Sequence, residues 1–166
     1  MDNEKDIRTI HIGTDHAGFE MKEELKKFLE MKDFEVVDHG AYDFDEGDDY
    51  PDFILPAVLA VSEDEHSLGI ILGGSGQGEA IVANRIPGIR AVVYYGESGS
   101  EESIINLSRQ HNDSNVLSLG ARFLSIDEAK DVVENWLETS FSGEERHVRR
   151  INKIDNLDQL MSQSDE

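Results

Sequence analysis

The stretch Thr14-Asp15-His16-Ala17-Gly18 sets a carboxylate beside an imidazole, and Gly73-Gly74-Ser75-Gly76-Gln77-Gly78-Glu79 closes a glycine-rich run on another carboxylate. A further imidazole sits in Arg109-Gln110-His111-Asn112-Asp113. Carboxylates and imidazoles move protons near neutral pH, so general acid–base chemistry is the first expectation. Asp15 equally suits a helix N-cap. Glu79 suits the first turn of a helix, where the dipole favours negative charge.

The run from Gly73 to Gly78 holds four glycines in six residues. Its spacing departs from the dinucleotide pattern G-x-G-x-x-G, because Glu79 stands where the last glycine is required, and no lysine follows as in a P-loop. No nucleotide cofactor is expected. Two readings stay open: a tight turn from strand to helix, or a cradle of backbone N–H groups able to hold a developing oxyanion.

Cations are scarce, with 15 Lys plus Arg against 36 Asp plus Glu and a net charge of −21. A chain so acidic repels nucleic-acid phosphates and anionic membranes, so neither is an expected partner. Against that background Arg146, His147, Arg149 and Arg150 fall within five positions, and Arg122 stands at the end of the fifth strand-like run. On a helix Arg146 and Arg150 share a face and can grip one phosphate. Salt bridges to the abundant carboxylates are the alternative. The absence of cysteine excludes disulfides, thiolate metal sites and a Cys nucleophile. Residues 1–8 mix charges and lack a signal peptide's apolar core, and the longest apolar run, 53–61, is nine residues with Pro56 inside. A soluble, cytoplasmic protein is expected.

Strand-like runs at 9–13, 34–38, 68–72, 89–95 and 116–119 alternate with helix-period segments at 19–29, 51–61, 79–85, 100–110 and from Ser125 onward. Ser125 with Glu128 forms a capping box. Strands separated by helices need crossovers, which predicts an α/β fold: a three-layer α/β/α domain around a five-stranded, parallel, doubly wound, Rossmann-like sheet, with an extra C-terminal helix. In such sheets ligands bind at the carboxyl ends of the strands, where Asp15 and the glycine run are expected. The domain is assigned to residues 1–142 and the extra helix to 143–161, leaving 162–166 as a frayed tail. That helix spaces Ile151, Ile154, Leu157 and Met161 along one stripe, which packs either on its own domain or on another subunit. Residues 43–49 form an acidic loop, and 96–99 is a second flexible point.

These pieces, in this order, resemble the type B ribose-5-phosphate isomerase family, which includes allose-6-phosphate and galactose-6-phosphate isomerases. The resemblance covers roughly residues 9–155. It is carried by Gly13-Thr14-Asp15-His16-Ala17-Gly18, Asp49-Tyr50-Pro51, the run Gly73 to Glu79, Ala83-Asn84, Gly88-Ile89-Arg90-Ala91, Arg109 to Asp113, Asn115-Val116-Leu117, Gly120-Ala121-Arg122 and Arg146 to Arg150. Any one motif is weak alone; the ordered set is specific.

The resemblance implies interconversion of an aldose phosphate and a ketose phosphate through an enediolate, without metal or nucleotide, in a homodimer or homotetramer with active sites between subunits. It implies that His111 opens the sugar ring with Asp15 as helper. Gly74, Ser75, Gly76, Gln77 and Gly78 then form the anion hole, Arg122, Arg146, Arg150 and His16 the phosphate clamp, and Asn112 a sugar-hydroxyl contact. Many members carry a Cys at the position of Gly73 and an aliphatic residue at that of Glu79. This chain resembles the branch in which the glutamate moves the proton, which makes Glu79 the expected base. The expected substrate is ribose 5-phosphate, converted to ribulose 5-phosphate. Alternatives are allose 6-, galactose 6- or a tetrose phosphate, or a non-catalytic sugar-phosphate sensor.

Overall fold

The computed structural model describes residues 8–96 and 102–162. Five strands, β1 Thr9–Thr14, β2 Glu35–Asp38, β3 Leu68–Gly73, β4 Ala91–Tyr94 and β5 Val116–Gly120, pair in parallel in the order β2-β1-β3-β5-β4. Parallel neighbours need crossover connections. These are supplied by α1 Phe19–Met31, α2 Pro51–Glu63, α3 Gln77–Ala83 and α4 Ile104–Asn112, and α5 Ile126–Glu138 follows β5.

Helix faces explain the layering. Met21, Leu25 and Leu29 of α1 and Ala129, Val133 and Trp136 of α5 cover one side of the sheet, against Ile10, Ile12, Ile70 and Leu117. Ile54, Ala57, Val58 and Val61 of α2 and Ala83 of α3 cover the other, against Ile71 and Val116. Strand β3 is buried at every residue, as a central strand covered on both faces must be. Each fully buried Ile or Leu contributes about 1.5–3 kcal/mol. The Ser125–Glu128 capping box forms as expected at the start of α5.

The expected three-layer sheet is therefore present, with shifted boundaries. Strand β5 ends at Gly120, so Arg122 lies two residues beyond it in the following loop. The helix expected over 79–85 starts earlier, at Gln77, because Gly76 turns the chain with φ +76. Within the described residues the helix expected over 100–110 begins at Ile104, capped by Ser103, and runs on to Asn112. Residues 102 and 103 are not helical, and residues 100 and 101 of the expected helix and 97–99 of the expected loop fall outside the described residues. The single C-terminal helix is two: α6 Glu145–Asp155 and α7 Leu157–Ser162, parted at Asn156, whose ψ of 23° leaves the helical region. The apolar stripe divides accordingly. Ile151 is buried on its own domain, whereas Ile154, Leu157 and Met161 are exposed. Ser162 ends α7, and the rest of the expected frayed tail lies outside the described residues.

The strand order positions the site. From β1 the chain steps outward to β2 and then returns to β3 on the other side of β1. The carboxyl ends of β1 and β3 thus flank the point where the sheet changes direction, the place where open α/β sheets leave a crevice.

Candidate active site

Asp15 directly follows β1. Its Oδ1 accepts from the Ala17 N–H at 2.9 Å and caps a single 3-10 turn, His16–Gly18, so the capping role is present while the residue also faces the crevice. The His16 imidazole Nδ1 lies 2.7 Å from Asp48 Oδ1, which also accepts from the His16 backbone N–H at 3.1 Å. The hydrogen bond to Asp48 raises the His16 pKa above its ordinary value, with Asp15 adding to it and Arg122 opposing. The acidic loop is therefore tied to His16 through Asp48.

After β3 the chain makes the glycine turn. The Ala121 and Arg122 N–H groups donate to Gly73 O and Gly74 O at 2.8 and 3.1 Å, tying this turn to the loop after β5. Ser118 Oγ donates to Gly76 O at 2.7 Å. The turn leads into α3, whose Glu79 is only 4 % exposed. Burial pushes the Glu79 carboxyl above the usual carboxylate range, and the nearby Asp15 pushes the same way, against the Glu79 backbone N–H.

Gly73 makes this position possible. A β-carbon on residue 73 would fall on the Glu79 carboxylate itself, so the carboxylate occupies the space a side chain there would need. The glycine is thus a seat for the glutamate rather than a flexible hinge.

A cavity of about 450 Å³ opens over these groups. Its walls include Asp15, His16, Gly74, Ser75, Gly78, Glu79 and Arg122, all expected from sequence. Gly76 and Gln77 are not among its walls, and Gln77 lines a separate hollow with Ile81 and Asn84. Tyr50 of the Asp49-Tyr50-Pro51 motif lies against Gly78 and closes one side. Phe123, packed edge-on against Tyr95 at 6.0 Å, also lines it and was missed. Its place directly after Arg122 in the loop following β5 was the available signal.

The other expected residues lie elsewhere. Helix α4 runs back toward the amino ends of the strands. Asn115, three residues beyond it, bonds through its backbone to Arg90 before β4 and to Gly69 at the start of β3. His111 and Asn112 end α4, so they sit at the opposite edge of the sheet from Glu79. The five residues of β5 alone put roughly 17 Å between the two edges. Helix α6 packs on α4 through His147, whose ring stacks on that of His111. Arg90 reaches Asp155 of α6 at 3.8 Å. Arg146 and Arg150 are exposed on this helix, Arg146 Nε donating to Glu144 at 2.8 Å. One chain therefore joins Asp15, His16, Arg122 and Glu79 in one cluster, and His111, Asn112, Arg146 and Arg150 in another.

A larger cavity, about 740 Å³, lies at the amino ends and is walled partly by Arg8, Arg90, Arg109 and Asp113. Two of its cations are already committed. Arg90 donates to Asn112 O and Asp113 O at 3.0 Å, and Arg109 donates to Thr139 O and Asp113 Oδ1. They brace the turn between α4 and β5, so chemistry is assigned to the smaller cavity.

Among the described residues, Asp15, His16 and Asp48 are the group whose ligand atoms lie close enough, within 4.8 Å, to share a cation. His16 Nδ1 is already engaged by Asp48 at 2.7 Å, and that hydrogen bond raises the His16 pKa.

A family model described as Ribose/Galactose Isomerase matches residues 10–154. The ribose-5-phosphate isomerase B of Escherichia coli is 39% identical over 153 residues, covering 92% of this chain and 98% of that protein. That of Mycolicibacterium paratuberculosis is 38% identical over 142 residues, 86% of each chain. Among solved structures, ribose-5-phosphate isomerase B from Mycoplasma genitalium with bound ribulose-5-phosphate superposes with a TM-score of 0.84 at 36% identity, covering 91% of this chain and 96% of that one. The Clostridium thermocellum protein gives 0.83 at 40% identity, covering 92% and 99%.

Proposed function

The chain belongs to the ribose/galactose isomerase family, and on that premise we propose that it interconverts ribose 5-phosphate and ribulose 5-phosphate. The observation that carries the reading is the buried Glu79 carboxylate, seated against Gly73 at a cavity lined by the glycine turn.

Glu79 is the base. With the sugar in its open-chain form, the carboxylate takes the C2 proton, the electron pair of that bond forms the C1–C2 double bond, and the carbonyl electrons move onto O1. Returning the proton to C1 of the enediolate, while the O2 proton is lost and O1 is protonated, yields the ketose. A carboxyl raised by burial suits both directions, because it gives up its proton more readily near neutral pH than a strong base would. Backbone N–H groups at the part of the turn that lines the cavity, Gly74, Ser75 and Gly78, with the Ser75 hydroxyl, stabilise the developing oxyanion. His16, paired with Asp48, and Arg122 grip the phosphate. Binding energy gathered there, away from the reacting carbons, orients C1 and C2 over Glu79.

His111 is the group that opens the ring, Asn112 contacts a sugar hydroxyl, and Arg146 and Arg150 complete the phosphate clamp. Their distance from Glu79 within one chain supports a site shared between two copies in a homodimer or homotetramer. In that arrangement residues 1–142 are the isomerase domain, and 143–161, with the exposed Ile154 and Leu157, serve subunit contact and carry Arg146 and Arg150 to the partner's site. A phosphorylated sugar does not cross a bilayer unaided, which supports a cytoplasmic location. Among the described residues no helix is long and apolar enough to cross a membrane.

A substrate panel tests the activity. Purified protein is given ribose 5-, allose 6-, galactose 6- and erythrose 4-phosphate, and ketose is measured. The highest kcat/KM is expected for ribose 5-phosphate. Preference for another sugar phosphate reassigns the substrate, and binding without any ketose indicates a sensor.

A further inference from the structure

We propose that His147 is a positioning residue, holding the His111 imidazole in the orientation that sugar ring opening requires. This rests on the isomerase reading above and adds to it a residue that touches no substrate. The two rings come from different helices, α4 and α6, yet lie 4.3 Å apart between centroids and within 11° of parallel.

His147 is itself held firmly. It is 3 % exposed, and its backbone N–H donates to Glu144 O at 2.8 Å in the turn that starts α6. His111, by contrast, is only half-buried at the end of its helix. The fixed ring is therefore the platform and the accessible ring the working group. His147 Nε2 is buried without a hydrogen-bond partner among the described residues, so no polar contact of that nitrogen explains its position.

The electrostatics suit a platform. His147 is faced by His111 from α4 and by Glu144, Arg146 and Arg150 from its own element. Burial, then His111 and the two arginines, push its pKa below the ordinary histidine value, with Glu144 opposing. A neutral ring accepts a protonated one over its face, as other aromatic rings accept cations, whereas two protonated rings would repel. His111 can then take up and release a proton during ring opening without losing its support.

The test uses the full-length protein and two readouts. Conversion of ribose 5-phosphate to ketose requires ring opening. Exchange of the C1 hydrogen of ribulose 5-phosphate with solvent deuterium starts from an open-chain sugar and requires only the base. His147→Ala and His147→Gln are expected to slow aldose conversion about tenfold to a hundredfold, as displacement of a catalytic group does, while leaving exchange at the wild-type rate. His147→Phe, which keeps an aromatic face, is expected to recover most of the loss. Wild-type conversion in the Ala and Gln variants, or a parallel fall of both readouts in every variant that folds, overturns the proposal. Wild-type protein that neither converts nor exchanges overturns the isomerase reading itself.

Discussion

At the scale of single residues, the mechanism turns on a contact between two positions that cannot both carry bulk. Glu79 reaches the cavity because Gly73 has no β-carbon, and the carboxylate fills that space. A side chain at 73 and a carboxylate in this seat exclude each other. Burial in the same seat raises the Glu79 pKa, so one contact sets both the place and the proton affinity of the carboxylate proposed as the base. Gly73→Ala tests this. Its methyl group drives the carboxylate out of its seat, and kcat should fall about a hundredfold, as for other small displacements of a catalytic group, with KM changed far less. A variant with wild-type kcat would show that the seat is irrelevant.

At the scale of elements, β1 and β2 are joined by side chains as well as by their ladder. His11 Nδ1 lies 2.9 Å from His39 Nε2, hydrogen-bond distance for one neutral ring donating to the other. Burial lowers both pKa values, and for His11 the neighbouring His39 adds to it. A histidine whose folded pKa is lowered contributes stability that is present above its unfolded value of about 6.5 and is lost as pH falls below it, because the unfolded chain then binds protons that the folded one does not. The melting temperature should therefore fall between pH 7 and pH 5, and less steeply in His39→Gln; equal slopes would contradict this. Such pairings also mark how far sequence reading reaches. Alternating apolar runs and glycine turns announced five strands and their helices, and motif order announced Asp15, His16, Glu79 and Arg122. The His11–His39 pair, the bond from Asp48 to His16 and the stack of His147 on His111 join residues 28, 32 and 36 positions apart, which no local pattern encodes. The break at Asn156 was hidden for another reason: the apolar stripe keeps its helical spacing across it.

At the scale of the whole molecule, the sheet itself divides the proposed site. Its carboxyl edge carries Glu79 and the glycine turn, and its amino edge carries His111 and the arginines of α6. A strand's length separates them. A second copy, related by a twofold axis, can bring the amino edge of one protomer to the carboxyl edge of its partner, and then each site takes Glu79 from one chain and His111 from the other. The most direct measurement is therefore complementation. Glu79→Gln and His111→Ala proteins are each purified, assayed alone with ribose 5-phosphate, then dissociated, mixed in equal amounts and reassociated. Each variant alone should be inactive, while hybrids hold one intact site in two, so the mixture should recover about a quarter of wild-type activity for randomly paired dimers. An active Glu79→Gln protein would contradict the assignment of the base, and a mixture shown to contain hybrids yet no more active than its parents would contradict the shared site.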